Sequence, residues 1–149
     1  MSLPSPTHAN YSSLLIDIER GQVKIPQFQR EFVWTIQKSA ALLDSVLKGY
    51  PVGTFIFWST RDRLRSVREL GDAALPAPAA GEIVSFVLDG QQRLTSLYAA
   101  IRGIKVPRSS GHVDDFAEIY VDLEADEDQQ IVGSGLIDQS QKMTVAARA

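Results

Sequence analysis

The sequence predicts a mixed domain, α/β or α+β, with a small mixed sheet and flanking helices. Two observations carry that prediction. Stretches with apolar residues at i, i+3, i+4 and i+7 alternate along the chain with short apolar runs of strand length. The chain has 149 residues, 44% of them hydrophobic and 22% charged, which suits one domain with an ordinary soluble core.

The elements follow in order. Residues 1–9 carry no periodic pattern and read as a disordered N-terminus or an expression remnant. Tyr11, Leu14, Leu15 and Ile18 share a helical face, with Asn10 placed to cap the helix and Gly21 to stop it. Val23, Lys24 and Ile25 make a brief strand ending at Pro26. Phe28, Phe32, Val33 and Trp34 then supply enough hydrophobes to anchor the next segment into a core. Ile36 to Lys48 reads as a helix with Thr35 as its N-cap. Gly49 ends it, and Pro51 prevents its resumption. Thr54 to Trp58 is nearly all apolar, the pattern of a strand buried on both faces.

Residues 60–82 change character. Arg61, Arg63, Arg65 and Arg68 crowd a stretch that reads as a solvated, mobile loop, followed by an Ala- and Pro-rich connector. The run Ile83 to Leu88 is strand-like, and Leu94, Leu97, Tyr98 and Ile101 then form one apolar helical face. Phe116 to Leu123 alternates as a further strand, residues 124–130 form an acidic surface turn, and 131–149 show no decisive pattern.

Composition narrows the chemistry. There are no cysteines, which excludes disulfides, thiol catalysis and thiolate metal sites. His8 and His112 lie far apart in polar or proline-containing surroundings and read as exposed loop residues, too few for a zinc or HNH-type nuclease centre. A net charge of −3 gives no global attraction to nucleic acid. The N-terminus lacks the apolar core of a signal peptide, and no run approaches the roughly 20 apolar residues of a membrane span. A cytoplasmic location without membrane contact is therefore the expectation.

The most informative stretch is Leu88-Asp89-Gly90-Gln91-Gln92-Arg93-Leu94, where a strand opens directly into a helix. Its polar residues fall on the first helical turn, where backbone N–H groups lack intrahelical partners and the dipole is positive. Two readings stand open. Asp89 can be an N-cap with Gln92 completing a capping box. Alternatively Gly90, Gln91, Gln92 and Arg93 form a phosphate site, with glycine for close approach, amide donors and a guanidinium fork. A second pair, Gln29-Arg30, sits among aromatics upstream; Arg30 either pairs with a surface carboxylate or acts as a second anion fork.

Three pieces now lie in order: Ile25-Pro26-Gln27-Phe28-Gln29-Arg30-Glu31-Phe32-Val33-Trp34, the helix closing on Gly49-Tyr50-Pro51-Val52-Gly53, and the Asp89 to Arg93 motif. This ordered set resembles the N-terminal domain of GmrSD-type modification-dependent restriction systems over roughly residues 10–124. The resemblance implies a ParB/sulfiredoxin-like fold and a nucleotide-binding, NTP-hydrolysing or purely binding, regulatory domain that controls a nuclease domain or partner chain. DNA would then be engaged indirectly. Gln29 and Arg30 match the family's first Gln-Arg pair. Asp89, Gly90, Gln91, Gln92 and Arg93 match its second signature residue for residue.

On that resemblance Gln29, Arg30, Gly90, Gln91, Gln92 and Arg93 would hold the phosphates of an NTP of unspecified base. Asp89 would act as a base or as a Mg²⁺ ligand. Two other classes remain: a ParB-like DNA-binding domain using Arg61, Arg63, Arg65 and Arg68, and a non-catalytic interaction module. Family members usually continue into a nuclease-type region, so residues 125–149 read as an extension that stops before it.

Overall fold

The computed structural model describes residues 3, 5–64, 67, 68, 70, 74–126, 128–135 and 142–144. Among them three α-helices and nine short strands make an α+β fold. The central sheet combines β1 (Val23–Pro26), β2 (Ile56–Thr60), β3 (Val67–Arg68) and β4 (Val84–Asp89) in the order β2-β4-β1-β3. β1 and β4 run parallel, with Val23 opposite Ser85, whereas β2 runs antiparallel to β4 and β3 antiparallel to β1. The sheet is mixed, as expected.

The helices begin where their caps dictate. Asn10 accepts from the Ser13 N–H at 2.7 Å to start α1 (Tyr11–Glu19). Thr35 accepts from the Lys38 N–H at 3.2 Å to start α2 (Ile36–Leu47). The third, α3 (Gln91–Arg102), begins at Gly90 and stops at Gly103, both in the left-handed region.

α3 is the keel of the molecule. Leu94 and Tyr98 join Leu15, Ile18, Val23, Ile25, Leu70 and Val87 in one core. Leu97, Ala99 and Ala100 join Ile36, Ala40, Leu42, Leu43 and Phe116 in another. The helix therefore buries several faces, not the single stripe expected from its sequence, and Ile101 is only half-buried. Small residues permit this. The Ser39 hydroxyl donates to Ser96 at 2.9 Å where α2 meets α3, so both polar atoms are satisfied inside the core.

Several sequence expectations change. The strand expected at Thr54 to Trp58 is β2, shifted by two residues. It lies at the sheet edge with Ile56 and Trp58 exposed, so it is not buried on both faces. Within residues 60–82, Val67 and Arg68 pair with Pro26 and Ile25. Arg63 donates to the carbonyls of Ala79 and Glu82, and Arg68 to that of Gln29, so these two arginines are fastened to backbone; Arg65 lies outside the described residues. Phe116–Glu118 is a 3₁₀ turn capped by Asp115, and the strand β7 (Ile119–Asp122) starts only after it. A hairpin, β5 (Lys105–Pro107) with β6 (Val113–Asp115), has no counterpart in the expected elements. β8 (Val132–Ser134) and β9 (Lys142–Thr144) flank β7 in a region without sequence signal.

β8 is tied to α2 by Asp44. Its buried carboxylate accepts from the N–H groups of Ile131 at 2.7 Å and Val132 at 3.1 Å and pairs with Lys48 at 2.9 Å. Lys48 also donates to the Gln129 carbonyl. Burial alone would raise the Asp44 pKa. The Lys48 ammonium and the two N–H donors outweigh it and hold the carboxyl below its ordinary value of 3.8. A depressed folded-state pKa contributes stability above the unfolded value and loses it as pH falls through the folded one. Asp44→Ala is expected to cost about 3 kcal/mol at pH 7, because it strands buried donors and Lys48. In urea titrations the gap between wild type and Asp44→Asn should shrink below about pH 4.

Candidate functional site

Topology brings the motifs together. Because β1 and β4 are parallel neighbours, both finish at the same end of the sheet. Residues 27–35 leave that end from β1, and Gly90 with α3 leave it from β4. β2 runs antiparallel and pairs Ile56 with Asp89, so the preceding residues 52–55 arrive at the same place. Crevices outside the carboxyl ends of strands are where open α/β sheets place ligands.

The seven residues expected at the site, Gln29, Arg30, Asp89, Gly90, Gln91, Gln92 and Arg93, line one cavity of about 290 Å³, together with Trp34. The structure assigns their side chains distinct tasks. Gln91 Nε2 donates to the Arg30 carbonyl at 3.0 Å. Gln92 Nε2 donates to the Glu31 carbonyl at 2.8 Å, and its Oε1 accepts from the Val33 N–H at 2.9 Å. Gln29 Nε2 donates to the Leu88 carbonyl at 2.9 Å. The three amides thus hold backbone rather than project into the cavity.

Arg93 is committed in the same way. Its Nη1 donates to the Val52 carbonyl at 2.6 Å and its Nη2 to that of Thr54 at 2.8 Å. The guanidinium carbon lies 5.3 Å from the Phe55 ring centre, and Asp89 stands 3.6 Å from Nη2. Gly53 has φ +88°, and a methyl there would overlap Arg93 Nη1. The Val52-Gly53 end of the stretch between the two motifs is thereby explained: with Thr54 it is the collar around Arg93.

The capping-box reading fails on geometry. Gly90, with φ 88°, is the N-cap of α3 and no side chain caps the helix. Asp89 is the last residue of β4, with its carboxylate at the exposed rim, and Gln92 faces residues 31–33. Arg30 is exposed, and no ion pair to it occurs among the described residues. Arg30 and Asp89 are exposed at the cavity, whereas Gly90 is half-buried and Gln91 and Gln92 are buried.

The hydrophobic anchors divide. Phe32 and Trp34 pack against the core, but Phe28 and Val33 are exposed. Arg108 was not foreseen as a site residue. It donates to the carbonyls of Phe32 and Trp34, both at 2.6 Å, and pairs with Asp114 at 2.6 Å. No local pattern marks it, since its carbonyl partners lie 76 and 74 residues away. On that side the segment borders a second, larger cleft of about 800 Å³, walled by Glu31, Phe32, Arg68 and Arg108. Among the described residues no group of three His, Cys, Asp or Glu lies close enough to hold a metal, and no helix is long and apolar enough to cross a membrane.

Over residues 11–146 the chain matches the GmrSD restriction endonuclease, N-terminal domain. It belongs to that family. This GmrSD N-terminal domain is also 36% identical over 107 residues to an uncharacterised protein of Methanocaldococcus jannaschii, an alignment covering 66% of this chain and 18% of that protein. The chain thus spans about a fifth of the length of this curated relative. No solved structure matches it.

Because Gln92 and Arg93 hold backbone, their loss should register first in stability. Gln92→Ala and Arg93→Ala are each expected to cost about 2 kcal/mol, the scale of leaving partly buried carbonyls and N–H groups unpaired. Gly53→Ala should cost at least about 1 kcal/mol through its positive φ and its overlap with Arg93. Urea unfolding of the three variants checks both figures.

Proposed function

We propose that this GmrSD N-terminal domain binds a nucleoside triphosphate and so regulates a nuclease domain or partner chain in a modification-dependent restriction system. One observation carries the reading. The uncapped first turn of α3 opens into a cavity beside the exposed Arg30, and every neighbouring side chain that stiffens its walls is engaged with backbone. A helix N-terminus and an adjacent guanidinium are complementary to phosphate in charge and in hydrogen-bond geometry. Phosphates would be held by backbone N–H groups of Gly90, Gln91 and Gln92 and by Arg30. Gln29, Gln91, Gln92 and Arg93 would act by keeping those groups in place. The family supplies the restriction context, and the nucleotide is what the resemblance of the Gln-Arg and Asp-Gly-Gln-Gln-Arg pieces implies.

Asp89 suits a Mg²⁺ ion that keeps most of its ligands as water and phosphate oxygen, since its exposed carboxylate is one hard oxygen donor at the cavity rim. Mg²⁺ would neutralise phosphate charge and remove the repulsion between phosphate and Asp89. A single carboxylate supports binding more directly than turnover; in turnover Asp89 would act as the base. Direct DNA binding through the loop arginines is the weaker reading, because Arg63 and Arg68 are spent on backbone carbonyls.

Thermal unfolding with ATP, GTP, CTP and UTP, with and without Mg²⁺, tests the proposal. At about a hundred times its dissociation constant a bound nucleotide adds ~2.7 kcal/mol of stability. Arg30→Ala should abolish that shift while leaving the unliganded melting temperature unchanged. If no nucleotide shifts the wild type, or if Arg30→Ala retains the full shift, the phosphate assignment is wrong.

A further inference from the structure

We infer that Phe28 is the surface on which the base of the bound nucleotide stacks. This rests on the nucleotide reading above and extends it from the phosphates to the base.

At about 290 Å³ the cavity lies at the lower end of small-molecule sites, room for a polyphosphate rather than for a complete nucleoside triphosphate. The base must therefore lie beyond the rim. Phe28 stands there. Gln27 on one side of it lines the 800 Å³ cleft and Gln29 on the other lines the phosphate cavity, so Phe28 occupies the ridge between the two. It is 73% exposed, the most exposed aromatic ring among the described residues.

The backbone beneath Phe28 is held firmly. The Gln29 N–H donates to the Pro26 carbonyl at 3.1 Å, the Gln29 carbonyl accepts from Arg68 at 2.6 Å, and the Gln29 amide grips Leu88 at 2.9 Å. A ring on a fixed turn loses little entropy on stacking. Trp34, the aromatic in the cavity wall, already has Lys38 Nζ 4.3 Å from its ring centre. Phe28 carries no such partner among the described residues, and no core contact accounts for a large apolar ring at that position. It lies two residues before Arg30 on the same segment, so stacking on Phe28 would leave the phosphates near the guanidinium.

The test compares two probes by titration calorimetry in the presence of Mg²⁺: inorganic tripolyphosphate, and whichever of ATP, GTP, CTP and UTP binds tightest. Base–aromatic stacking predicts that Phe28→Ala weakens the nucleotide roughly tenfold and leaves tripolyphosphate unchanged. Phe28→Tyr should retain wild-type affinity for both. Phe28 is exposed, so each variant should melt with the wild type. If Phe28→Ala leaves nucleotide affinity unaltered, or weakens both probes equally, the stacking role is overturned while the phosphate site stands. If the wild type binds neither probe, the nucleotide reading itself fails and takes this inference with it.

Discussion

The structure depends on how one irregular segment satisfies its backbone. Residues 29–34 belong to no helix or strand, and a backbone packed against a core must still find partners for its carbonyls. Side chains supply them. The carbonyls of Gln29, Arg30, Glu31, Phe32 and Trp34 accept from Arg68, Gln91, Gln92, Arg108 and Arg108 again, and the Val33 N–H donates to Gln92. Long amide and guanidinium side chains reach from β3, α3 and the β5–β6 hairpin into what would otherwise be a row of unpaired groups. Each bond is modest, but leaving its carbonyl buried and bare would cost more than the bond contributes.

That arrangement turns a loop into a wall. The same segment separates the small cavity at the start of α3 from the larger cleft on its other side. Gln91 and Gln92 grip it from the first, while Arg68 and Arg108 grip it from the second. Arg93 does the equivalent work on the opposite flank, where the collar of residues 52–54 closes around its guanidinium and Gly53 leaves the space. A cavity built this way is rigid: its wall side chains are fixed by hydrogen bonds to backbone. The polar residues of the second motif thus fall into two groups. Gln91, Gln92 and Arg93 shape the cavity with their side chains, Gly90 starts α3 with no side chain capping it, and Asp89, like Arg30 of the first motif, is exposed.

Much of this was legible in the chain. The caps at Asn10 and Thr35, the stops at Gly21 and Gly49, and the strand-to-helix turn at Gly90 are local chemistry, and local chemistry is written in neighbouring residues. The grouping of Gln29 and Arg30 with Asp89 to Arg93 came from the ordered motifs, and the structure brings all seven to one cavity. The edge position of β2 was not legible, since an apolar run reads alike in the middle of a sheet and at its margin. Nor were β8 and β9, whose residues take strand form only because β7 lies between them.

Sequence by itself determined which residues begin and end the first two helices, which runs are apolar, and that two Gln-Arg motifs group together. Tertiary structure alone decided what those motifs do. A glutamine or arginine carries the same donors whether it grips a phosphate or a carbonyl, and the choice falls to whichever acceptor the fold brings within 3 Å. Here the parallel pairing of β1 with β4 brings backbone carbonyls to Gln91 and Gln92, and the antiparallel pairing of β2 with β4 brings them to Arg93. Arg30 and Phe28, whose surroundings offer no such partner among the described residues, remain turned toward solvent.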